Sequence, residues 1–112
     1  MSETEIPIYD VKLYFTSSET VMNKVVKDNT DFELSQGATG RTIYYKNKQD
    51  RIVHVIGVFN GKLSTLVHEV SHCCLDICKL RGIPVGGDDT SEAYCYLVEY
   101  IYDKLYKCLY NN

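Results

Sequence analysis

Hydrophobic positions along this chain change period, and the changes predict its elements. Residues 8–15 (IYDVKLYF) mix β-branched and aromatic side chains with partial alternation, the pattern of a strand. Ser17 and Ser18 stand where a helix needs a cap, so residues 19–26 read as a short helix that buries Val21, Met22 and Val25 or Val26. Residues 28–40 are dense in Asn, Asp, Ser and Gly and predict a loop, with a short extended piece at 32–34 as an option. Residues 42–45 and 52–59 then read as two strands of a hairpin, joined by a polar connection at 46–50.

From residue 63 to about 80 the period becomes helical. At 100° per residue, Leu63, Leu66, Val67, Val70, Cys73, Cys74 and Ile77 fall in one arc, while His68, Glu69, His72, Asp76 and Lys79 fall opposite. Arg81-Gly82 should end this helix, and Pro84 prevents its return. After Gly86-Gly87-Asp88-Asp89, a last helix is predicted over 90–109, with Tyr94, Leu97, Val98, Ile101, Leu105 and Cys108 inward and Glu92, Tyr96, Glu99 and Asp103 outward. The order strand, helix, two strands, long helix, long helix predicts one α+β domain over 1–112, a small three-stranded sheet backed by helices.

Composition narrows the partners. A chain of 112 residues has room for one core, and a formal charge of −3 supplies no basic field for a phosphate backbone, which argues against nucleic acid. No apolar run approaches the roughly 18 residues of a membrane span, and residues 1–6 have neither the basic nor the apolar region of a signal peptide, so a soluble cytoplasmic protein is expected. The five cysteines are odd in number and lack paired CxxC spacing, which favours buried free thiols over disulfides or a structural metal site. With ten tyrosines in so small a chain, several must be exposed, which leaves a homodimer open.

The chemistry concentrates in His68-Glu69-Val70-Ser71-His72. Residues four apart share a helix face, so two imidazoles can reach one Zn²⁺, and the intervening glutamate, rotated about 100°, stays close to the water such a site keeps. Glu69 then has the place of a general base. A third ligand must come from elsewhere, and Asp88, Asp89, Glu92 and Glu99 are the downstream candidates. Glu92, twenty residues after His72, is favoured because a carboxylate there completes a His₂Glu set. The competing reading is a capping box over Asp89-Thr90-Ser91-Glu92. His54 is the other histidine of the chain, more plausible as a satisfied or exposed strand residue than as a ligand. Asp76 can orient a ligand or simply face solvent.

With HExxH on one helix and a glutamate on the next, the sequence resembles the gluzincin metallopeptidases, and the interval from His72 to Glu92 is similar to that of thermolysin-like enzymes. The segment HEVSHCCLDICKLRGIPVGGDDTSEAYCYLVEYI also resembles short phage and prophage zincin-like proteins, and the single-domain minigluzincins are similar in size. The resemblance covers residues 52–101. It implies a minimal zincin-like fold and a zinc-dependent peptidase with His68, His72 and Glu92 as ligands and Glu69 as base. It also implies a sheet edge, strand 52–59 or its hairpin partner, that aligns an extended peptide substrate. The chain departs from the larger enzymes in having no second domain and no downstream histidine for the oxyanion, a role for which Tyr96 is the candidate. No further histidine and Met-turn follow His72, unlike metzincins. The alternatives are a non-catalytic binding protein, such as a phage factor directed at a host partner, with zinc as a staple, and a latent enzyme.

Overall fold

The longest apolar run becomes the centre of the sheet. In the computed structural model, which describes residues 1–86 and 91–111, strand β4 (Ile52–Val58) is buried at every position from Val53 to Val58. It is flanked by β2 (Val11–Thr16), parallel to it, and by β3 (Gly40–Lys46), antiparallel to it. A fourth strand, β1 (Ser2–Ile6), pairs antiparallel with β2, giving the order β1-β2-β4-β3. The predicted α+β class holds, and the sheet has four strands rather than three. Ser2–Ile6 has only Ile6 buried, so its polar sequence carries no strand signal, and its pairing with β2 defines it.

Helix α1 (Glu19–Asn29) connects β2 to β3 and is capped as expected, Val21 N–H donating to Ser18 Oγ at 3.2 Å. It runs three residues beyond the predicted end at Val26, and it buries Met22 and Val26 while Val21 faces solvent. Met22 packs with Val53 and Val55 on one face of the sheet. The option of a strand at 32–34 is not realised. Instead the Glu19 carboxylate accepts from Gly37 and Ala38 N–H, at 3.1 and 2.9 Å, which ties the loop down before β3.

The opposite face carries α2 (Leu63–Leu80) and α3 (Ser91–Asn111). There Ile56 and Val58 of β4 pack with Leu66, Val70, Cys73 and Ile77 of α2 and with Leu97, Ile101 and Leu105 of α3. Burying each large aliphatic side chain contributes about 1.5–3 kcal/mol, so this layer is the main anchor of α2. Gly82 ends α2 in the left-handed region at φ 66°, and Ile83 N–H closes the turn on Cys78 O at 2.8 Å, as the Arg81-Gly82 signal predicted. The predicted faces of α2 are corrected at three residues: Leu63 and Val67 are exposed, whereas Glu69, assigned to the polar face, is buried. Edge strand β3 covers that side of the helix. Of the cysteines, Cys73, Cys74 and Cys78 are buried as expected, Cys108 is half-buried and Cys95 is exposed. No helix among the described residues is long and apolar enough to cross a membrane.

Candidate metal centre

The apolar arc of α2 faces the sheet and α3, which leaves His68 and His72 on its solvent side, both exposed. Their Nε2 atoms stand 3.1 Å apart, with the rings edge to face at 79°. As a hydrogen bond, that contact requires one ring nitrogen to donate and the other to accept. For comparison, two donors about 2.0–2.1 Å from a shared tetrahedral ion lie about 3.3–3.4 Å apart, roughly 0.3 Å more than this separation. The spacing of the two nitrogens is thus close to what a shared Zn²⁺ requires.

Glu69 is only 7% exposed, and two residues of β3 explain its position. Thr42 Oγ1 lies 2.8 Å from Glu69 Oε1 and 2.9 Å from Glu69 O, and its single proton is donated to one of these acceptors at a time. Two residues earlier on β3, Gly40 lets the helix approach. A Cβ at position 40 would stand 2.6 Å from Thr65 Cγ2, 3.0 Å from Glu69 Cγ and 3.1 Å from Glu69 Oε2. Neither residue is singled out by a sequence motif. A glycine at the start of a strand is, however, a recognised sign of close approach by another element. Gly40, Thr65, His68 and Glu69 line one open groove of about 470 Å³.

Other sequence candidates are placed elsewhere. Glu92 lies in the first turn of α3, as predicted, and is exposed. The first three turns of α3 line a groove with Ile6, Pro7 and Tyr9, and Arg81 Nε, just past the end of α2, donates to Tyr9 O at 2.9 Å. Among the described residues no third His, Cys, Asp or Glu joins the histidine pair. Asp88 and Asp89, and the first residues of the possible capping box, lie outside the described residues. Tyr96 and Glu99 line the groove beside Ile6 rather than the one beside Glu69, so no contact here supports Tyr96 as an oxyanion donor.

His54 departs from both sequence expectations. It is fully buried, and neither ring nitrogen has a hydrogen-bond partner among the described residues. Tyr44 from β3 tilts against it at 5.8 Å. Burial, and secondly the charge of Arg81, push its pKa down to about 4, so it is neutral at physiological pH. Asp76, half-buried, has its pKa raised by burial, and the nearby His72 and Lys79 oppose that shift. No protein-family model, curated protein or solved structure matches this chain.

Proposed function

We propose that the protein is a zinc-dependent hydrolase of peptide bonds in which His68 and His72 bind the metal and Glu69 is the general base. The observation that supports this most is the approach of the two Nε2 atoms to 3.1 Å beside a groove that His68 and Glu69 both line. Zinc, when bound, supplies a Lewis acid that polarises a carbonyl and acidifies a water. The chain's own residues supply orientation. Thr42 can donate to Glu69 Oε1, Oε2 has no such donor among the described residues, and the missing side chain of Gly40 leaves room beside Oε2 for it to take a proton. Strand β3 is an edge of the sheet, so its outer N–H and C=O groups are available to align an extended substrate beside α2. Glu92 is the proposed third ligand, on the His₂Glu donor set it would complete and on the gluzincin resemblance.

The test is zinc content and hydrolysis measured together. Wild-type protein is expected to bind one zinc per chain and to cleave a peptide library in a chelator-sensitive manner. Glu69→Gln should keep the zinc and lose cleavage, while His68→Ala and His72→Ala lose both. Cleavage by Glu69→Gln at the wild-type rate would exclude the general-base role.

A second reading has its own observation. Glu69 and Thr42 join α2 to β3, so the carboxylate also serves as a structural tie. In a non-catalytic binding protein or a latent enzyme, zinc would staple α2 and leave that tie intact. Chelation would then lower the melting temperature although no peptide is cleaved, and Glu69→Gln would leave partner binding unchanged.

A further inference from the structure

We propose that the groove between the β1–β2 connection and α3 binds an extended peptide through a lysine or arginine side chain. The groove encloses about 610 Å³, large for an inorganic cation and within the range of organic-ligand sites. The buried side chains of Ile6 and Leu97, with Pro7 and Ala93, give it an apolar floor. Its α3 wall alternates rings and carboxylates: Tyr96, Glu99, Tyr100 and Asp103 recur at helical spacing on one face. Tyr96 is 66% exposed, so its ring is accessible, while Tyr100 donates its hydroxyl to Glu5 O at 3.4 Å.

Charge identifies the occupant. On the neighbouring strand and turn, Glu3 pairs with Lys12, and Glu5 and Asp10 pair with Arg51. Glu99 and Asp103 are exposed and take part in no ion pair among the described residues. Two carboxylates four residues apart repel each other, and a cation between them relieves that repulsion. The aromatic row already attracts an ammonium, since Lys104 Nζ stands 5.4 Å from the centroid of the Tyr100 ring. A lysine or arginine placed against Tyr96 would gain the same attraction together with charge-assisted contacts to Glu99 and Asp103. The apolar floor requires apolar groups next to that charge, which a peptide supplies and a free metal ion does not. The groove stands apart from His68 and Glu69, so the proposal does not depend on zinc.

The probe is the blocked peptide acetyl-Leu-Arg-Leu-Lys-amide, titrated into the whole ¹⁵N-labelled chain with chelator present. Saturable shifts are expected at Ile6 and along residues 93–103, and His68→Ala should bind equally well. A peptide with norleucine at both basic positions, and the double variant Glu99→Gln/Asp103→Asn, should each bind at least about tenfold more weakly. The two carboxylates are at the surface, and an unchanged spectrum of the variant verifies that it folds. Equal binding of the norleucine peptide, shifts confined to β3 and α2, or the absence of saturable binding would each overturn the proposal.

Discussion

Acid should destabilise this protein through His54 before its carboxylates titrate. The imidazole is 0% exposed and its pKa is pushed from 6.5 to about 4, chiefly by burial and secondly by Arg81. Between those values the unfolded chain binds a proton that the folded chain does not, so stability rises with pH across the window and falls as pH drops through it. The full effect of such a shift is about 3 kcal/mol, and roughly 2 kcal/mol of it is already lost between pH 7 and pH 5. The perturbation is His54→Leu, which fills the site with an apolar group and removes two nitrogens that lack partners. At pH 7 it should change stability by no more than about 1 kcal/mol, because no hydrogen bond is broken. Urea unfolding of both proteins at pH 7 and pH 5 gives the answer. Wild type should lose roughly 2 kcal/mol more than the variant on acidification. Equal losses in the two proteins would refute the burial of a neutral imidazole on the α2 face of β4.

Three further perturbations address the site and the core. Gly40→Ala forces a methyl against Thr65 and Glu69, and should cost about 1–3 kcal/mol in urea unfolding and displace the carboxylate; a variant as stable as wild type would mean that β3 does not approach α2 so closely. Thr42→Val removes the donor to the buried Glu69 and should cost about 1–3 kcal/mol, with Thr42→Ser restoring most of it, in the same measurement. In the folded protein a thiol reagent should label Cys95 rapidly and leave Cys73 and Cys74 untouched until unfolding, because burial pushes Cys74 up to about 12 and Cys73 well above its ordinary range. Mass spectrometry of tryptic peptides reads the order of labelling, and early labelling of Cys73 would contradict its burial.

Local periodicity determined a good deal of this protein. The limits of α2, its Gly82 stop, the Ser18 cap, the buried run of β4 and the common face of His68 and His72 all follow from signals within one or two turns of chain. Those signals describe an element's own geometry, and the four-residue interval of the two histidines is itself a helical property. Tertiary structure decided whatever depends on a neighbour distant in sequence. Ser2–Ile6 is a strand because β2 offers it partners, Glu69 is buried because β3 crosses the polar side of α2, and His54 is enclosed because β4 is covered on both faces. Gly40 and Thr42 take their meaning from a residue 27 or more positions away, and no periodicity carries information over that distance. The sequence therefore determined which side chains share a helix face, while the packing of a sheet edge against that helix determined which carboxylate is held in place and how.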